Sequence, residues 1–512
     1  MAQRIDRAAS FGQNLYVDTR GAAGEPVPFT QAVINGLAQG GGLYVPEELP
    51  TLSLDEICAL ARLPYAQRAA AIYKAFNVDL PDEAIDELMG RAYGDNFDDE
   101  AICPITSLDE STHILELWHG PTSAFKDMAL QCLPHFFSAS AEKLREEGTL
   151  DHEFMILVAT SGDTGKAALE GFRDVDKTRI LVFYPKDGVS AIQELQMATQ
   201  EGENVGVCSV VGNFDDAQTG VKKLFSDESL REQLAGRGFF LSSANSINWG
   251  RVLPQIVYYI SAYCDLMRAE RIRKGDKVNV CVPTGNFGNI LAACYAREMG
   301  VPIGRLICAS NSNNVLTDFL RTGVYDRNRT FYNTMSPSMD ILISSNLERL
   351  LFALTGHDDE QVREYMGQLN QTGRYEVSPA IQDRLTRLFS AGFCDDAQTQ
   401  KVIGRMWQEH HYLIDPHTAV AFDVLEQYRK ETGDDTPAIV ASTASPFKFC
   451  DSVLGALGVT ELAEGTAILD QLSELTGVPV PAPLAALKDK PVRFRETVTR
   501  DHMVDQVLEM LR

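Results

Sequence analysis

The 512-residue chain has no run of about 18 apolar residues, the length a membrane-spanning helix needs. Its opening MAQRIDRAAS lacks an apolar core, so no secretion signal is read there. No Lys/Arg-dense run occurs, and 46 Lys and Arg face 71 Asp and Glu, for a formal charge of −25. That argues against nucleic acid or an anionic membrane as partner, because both require clustered positive charge. Acidity on this scale favours a soluble, self-repelling surface, and an anionic substrate then needs a locally positive pocket. The ten cysteines are scattered singly, with no CxxC. Reduced, buried thiols in a cytoplasmic protein are the plain reading. HExxH is missing too: His410, His411 and His417 have no carboxylate at zinc-site spacing and read as solvated or capping residues, so no metal is expected. Internal repeats and low-complexity segments are also absent.

What is present is 45% hydrophobic residues, ample for large cores, and a length that predicts two to four domains at ~150 residues each. Residues 1–105 read as a helical N-terminal lobe, with helical spacing over Phe29–Leu37, Leu54–Phe76 and Ala84–Tyr93. From 106 to 325, short apolar β-branched runs alternate with helices, which predicts a parallel sheet covered on both faces. The strand candidates are Ile114–Trp118, Phe154–Ala159, Ile180–Tyr184, Val205–Val211, Val278–Val282 and Arg305–Ser310. Between 326 and 430 the strands stop, and a charged helical insertion is expected. Residues 431–512 supply a last core strand, Ala438–Ser442, and a tail helix, Asp501–Leu511.

Three stretches carry chemistry. In HGPTSAFKDMALQ (His119–Gln131), Lys126 stands where a polar turn gives way to helix-compatible residues. A lone lysine there is usually a solvated charge. Two glycine-rich strand-to-helix turns, in Ile156–Phe172 and Val278–Ala296, change that balance. Thr284–Asn289 (TGNFGN) lets backbone N–H groups and a helix N-terminus meet a phosphate. It does not match GxGxxG, so a dinucleotide is disfavoured. The Thr160–Gly165 turn (TSGDTG) imitates a P-loop but has Thr160 and Ala167 where that pattern requires glycine and a hydroxyl. In SSANSINWGR, Asn248 and Arg251 are three apart on a helix start and share a face. An arginine there suits phosphate, while an exposed residue behind a helix cap is an equal alternative.

Together with YVDTRG (Tyr16–Gly21), GGLYVPEELP (Gly41–Pro50) and STASPFKF (Ser442–Phe449), these motifs resemble the long-form threonine synthase family of tryptophan-synthase-β-like enzymes, over nearly the whole chain and in order. The resemblance implies an α/β fold of pyridoxal 5'-phosphate (PLP) fold type II, with two parallel-sheet lobes. It implies that Lys126 carries PLP and moves protons as catalytic acid and base. It assigns the cofactor phosphate to Gly285, Asn286, Phe287, Gly288 and Asn289, and the pyridine nitrogen to Thr443. Substrate falls to Thr160, Ser161, Asp163 and Thr164 for the carboxylate, and to Ser246, Asn248 and Arg251 for the phosphate, with Lys186 and Lys448 as lesser candidates. The implied reaction turns O-phospho-L-homoserine and water into L-threonine and phosphate, the last step of threonine biosynthesis, and a homo-oligomer is compatible with it. Two departures stand out: Ser445 and Phe447 replace the family's usual residues, and serine- or threonine-directed relatives carry Asn where Asp163 stands. The competing readings are a serine/threonine dehydratase or β-replacement enzyme, a protein acting on related phosphorylated amino-alcohols, and a phosphate-binding regulatory module without catalysis.

Overall fold

The computed structural model describes residues 13–511; the opening MAQRIDRAAS lies outside them. The apolar runs form two sheets of an α/β fold. One has six strands, in the order Phe389–Phe393, Ile303–Ser310, Val278–Pro283, Ala438–Ser442, Thr112–Glu116 and Ile105–Ser107. All are parallel except the last. The other has five parallel strands, in the order Thr497–Val498, Val205–Val210, Thr178–Pro185, Glu153–Ala159 and Phe239–Ser242. Every residue of Val278–Pro283, Val205–Val210 and Ala438–Ser442 is buried, which is why these strands are mostly apolar, with only Asn279, Ser209 and Ser442 polar, rather than alternating.

The helix Trp249–Arg268 is buried along most of its length. It packs against the short helix Asp127–Leu130, the helix Gly288–Glu298 and the N-terminal helices. The lysine stretch and the TGNFGN turn are therefore braced by one rigid element.

Three sequence expectations are corrected. The helical run Leu54–Phe76 is two helices, Leu54–Leu60 and Tyr65–Ala75, because Pro64 cannot continue the first and starts the second. The N-terminal region also holds a small antiparallel sheet of Leu15–Asp18, Val27–Pro28 and Tyr44–Pro46. Within 326–430, read as helical throughout, Phe389–Phe393 edges the six-stranded sheet and Arg374–Glu376 pairs with Val324–Asp326. FSAGF has little intrinsic strand character, and its strand form comes from pairing with Ile303–Ser310, not from local preference. Among the described residues, no helix is long and apolar enough to cross a membrane, and no group of three or more His, Cys, Asp or Glu is placed to hold a metal ion.

Candidate active site

Three adjacent parallel strands, Val278–Pro283, Ala438–Ser442 and Thr112–Glu116, end on one edge of the six-stranded sheet. The TGNFGN turn, Thr443 and the lysine stretch follow them in that order. Crevices outside the carboxyl ends of parallel strands are where such folds hold ligands. The lysine stretch is sewn to its neighbour: Phe125 N–H donates to the Thr443 carbonyl at 2.8 Å, and Ser445 N–H to the Ser123 carbonyl at 3.0 Å. At the root of the turn, Asp127 is fully buried and accepts from the Thr122 N–H (2.8 Å) and hydroxyl (2.6 Å). Burial pushes its carboxyl up to about 6.

Lys126 immediately precedes the helix Asp127–Leu130, with its ammonium nitrogen 4.1 Å from the Phe125 ring centroid. Burial, reinforced by the positive charge of Arg251, lowers its pKa to about 7. A lysine in this state presents a neutral amine to an electrophile near neutral pH.

In the TGNFGN turn, Phe287 takes a left-handed φ of 64° just ahead of the helix Gly288–Glu298. A Cβ on Gly285 would lie 2.8 Å from the Ser338 carbonyl, so only glycine fits. The Asn289 side-chain carbonyl accepts from Tyr258 (2.7 Å) and Tyr259 (2.5 Å), while its buried NH₂ has no partner. A buried donor left open in this way requires an acceptor from outside the chain. The Thr443 side chain, also buried, makes no hydrogen bond among the described residues.

The Thr160–Gly165 turn comes from the other sheet, after Glu153–Ala159. The Thr160 hydroxyl accepts the N–H groups of Gly162 (3.0 Å) and Gly165 (2.8 Å), so it shapes the turn while its own O–H stays available as a donor. Ser161 and Thr164 keep hydroxyls with no partner among the described residues. Asp163 is buried and bound to Lys448 at 2.8 Å and to the Gln193 amide at 2.8 Å. Burial alone would raise its carboxyl; the Lys448 ammonium and the Gln193 bond hold it below the usual carboxylate range.

Arg251 is buried on the first turn of Trp249–Arg268. One guanidinium nitrogen donates to the Ala244 carbonyl at 2.8 Å, Nε has no partner, and no carboxylate lies within ion-pair distance among the described residues. Burial lowers its pKa to about 10. Ser246 accepts from Asn346 at 3.1 Å. Asn248, grouped with Arg251 from the sequence, has both ends of its amide engaged by the fold. Its carbonyl caps the helix through Gly250 N–H at 2.9 Å, and its NH₂ donates to the Val33 carbonyl at 2.9 Å.

Two residues tie the site together: Ser338, which sequence reasoning passed over, and His417, which it read as solvated or capping and which is neither. The Ser338 N–H donates to His417 Nε2 at 3.1 Å, and its hydroxyl stands 3.4 Å from Asp163. His417 is buried, with Nδ1 bonded to Asp415 at 2.5 Å, unlike the exposed His410 and His411. The signal was local: Asp415 caps the helix Pro416–Thr432, as the order Asp-Pro-His-Thr suggests. A cleft of about 120 Å³ opens beside these residues, lined by Ser161, Lys186, Asn213, Phe331, Asn333 and Asp340. A larger groove of about 710 Å³, beside Arg62 and Met267, touches none of them.

Two family models match the chain, Threonine synthase N terminus over residues 15–93 and Threonine synthase, C-terminal over 418–507. Threonine synthase from Pseudomonas aeruginosa is 38% identical over 439 residues, covering 86% of this chain and 89% of that protein. Human threonine synthase-like 1 is 43% identical over 85% of this chain, which spans only 59% of that relative's length. The crystal structure of PLP-bound threonine synthase from Brucella melitensis superposes with a TM-score of 0.84 at 36% identity, covering 98% of this chain and all of that one.

Proposed function

Because the chain belongs to the threonine synthase family, we propose that it is a PLP-dependent enzyme that converts O-phospho-L-homoserine and water to L-threonine and phosphate. The observation that carries this reading is the pairing of a lysine amine held near neutrality with a buried arginine that has no carboxylate partner. The residues present suit the cofactor. Lys126 offers the amine for its aldehyde; the glycine-lined TGNFGN turn and the open Asn289 NH₂ suit its phosphate. The unpartnered Thr443 hydroxyl suits its ring nitrogen without enforcing protonation there. Bound, PLP supplies an electron sink for charge developing next to the substrate's amino carbon.

The chain's own groups do the rest. Ser161, Thr164 and the N–H groups of their turn hold the substrate carboxylate. Arg251, helped by Ser246, takes the substrate phosphate, for which a desolvated guanidinium is suited. Lys126 removes the proton at Cα and then one at Cβ, phosphate departs from Cγ, a proton is returned to Cγ to make the methyl group, water adds its hydroxyl at Cβ, and Cα is reprotonated. Asn248 acts by fixing the helix that carries Arg251.

The test is direct. The chain reconstituted with PLP, given O-phospho-L-homoserine, is expected to release phosphate and L-threonine in equal amounts. A chain that leaves this substrate intact while deaminating L-serine or L-threonine would overturn the reading in favour of a dehydratase.

A further inference from the structure

Lys448 has no part in the steps above, yet its side chain is entirely buried. It sits in the one-turn helix Pro446–Phe449, after the strand Ala438–Ser442 of the six-stranded sheet. Its ammonium donates to Asp163, at the start of a helix from the five-stranded sheet, and to the carbonyl of Thr122, four residues before Lys126, each at 2.8 Å. The surroundings reinforce this bridge. Ser190 donates to the Lys448 carbonyl at 2.8 Å, and Gln196 donates to the Thr122 carbonyl at 3.2 Å.

A negative residue in a turn meant for a carboxylate is a contradiction unless its charge is cancelled. Charge pairs this deep are retained only when each partner is satisfied, because either one alone is an uncompensated buried ion. We propose that Lys448 is a positioning residue that cancels the charge of Asp163, so that the Thr160–Gly165 turn accepts the substrate carboxylate. This rests on the reading of that turn given above. The other titratable groups acting on Asp163 are His417, across Ser338, and Lys126. Asp163 draws Lys126 toward its ammonium form, so cancelling the charge also keeps that amine available.

The sign of the pH effect follows. With Lys448 present, Asp163 is held below the usual carboxylate range, so the stability it contributes is present above that range and is lost only in stronger acid. In Lys448→Met the lone buried carboxylate is pushed upward instead, so the defect is greatest in alkaline solution and fades as acid protonates it.

The experiment compares wild type, Lys448→Met and the double variant Asp163→Asn/Lys448→Met. Melting of the PLP-free chain is followed from about pH 8 to about pH 5, and KM and kcat for O-phospho-L-homoserine are measured on the PLP-loaded protein. Lys448→Met is expected to melt lower than wild type at the alkaline end, with the gap closing in acid, and to raise KM about tenfold or more with a smaller change in kcat. The double variant is expected to abolish the pH dependence of the gap and to return KM to within about threefold of wild type. A double variant whose KM stays as high as that of Lys448→Met, or a Lys448→Met protein with wild-type KM, would overturn the proposal. If Lys448→Met does not fold, the double variant alone decides through its KM. If wild type itself does not act on the substrate, the functional reading falls, and the pH dependence of melting still tests the pair.

Discussion

The Thr160–Gly165 and Thr284–Asn289 turns each end a parallel strand, start a helix and use glycine where a side chain would collide with a neighbour. At Gly162, with φ of 129°, a Cβ would strike Gln193; at Gly285 it would strike the Ser338 backbone. Their surroundings differ. The second turn contains no charged residue and keeps an open NH₂ on Asn289, so what it offers is backbone dipoles and one amide. The first contains Asp163, and its electrostatics are set by a lysine nearly 300 positions away in the sequence. A glycine turn thus specifies a shape, and the charges packed around it set its electrostatics.

Each variant bears on that contrast. The largest effect is expected from Lys126→Ala, which removes the buried amine that feels the charges of Arg251 and Asp163: turnover should fall by roughly 10³-fold or more, with loss of the visible absorbance that PLP acquires on joining a lysine. A variant that kept both would remove Lys126 from the chemistry. Next comes Arg251→Ala, expected to raise KM for O-phospho-L-homoserine about 10- to 100-fold. The same variant tests the charge coupling through pH. Lys126 reacts as the neutral amine, so in wild type the rate of PLP capture should rise with pH through about 7 and then level off. Removing the arginine's positive charge should move that inflection upward; an unmoved inflection would show that burial alone sets it.

Gly285→Ala acts on the neutral turn alone, and its new methyl group meets the Ser338 carbonyl. Titration with PLP is expected to show about a tenfold loss of affinity. Equal affinity would mean that the turn does not grip the cofactor. The smallest change is expected from Asn248→Ala. Loss of the cap should lower stability by about 1 kcal/mol while KM stays within about twofold of wild type. A large rise in KM would return Asn248 to the substrate.

Much of this was legible in the sequence because the governing interactions are local. Strands buried on both faces are mostly apolar along their length, so the central strands of the two sheets could be read directly, while the outer ones Phe389–Phe393, Ile105–Ser107, Phe239–Ser242 and Thr497–Val498 could not. The lysine stretch and both turns show themselves by turn residues between a strand and a helix. What escaped notice depends on distant partners. FSAGF becomes a strand because Ile303–Ser310 offers it an edge. Asn248 belongs to the fold because Val33 lies beneath it. His417 is buried, unlike His410 and His411, because the helix Pro416–Thr432 packs against the main sheet.

By itself, the order of residues determined the α/β class, the place of Lys126 at a strand-to-helix turn and the two glycine turns, since each follows from patterns within a few positions of the chain. Only the tertiary structure decided how those pieces are charged: that Arg251 is buried without a counter-ion, that Asp163 is cancelled by Lys448, and that Ser338 links both turns. Electrostatic strength depends on burial and on which groups meet across space, and neither is written in local sequence.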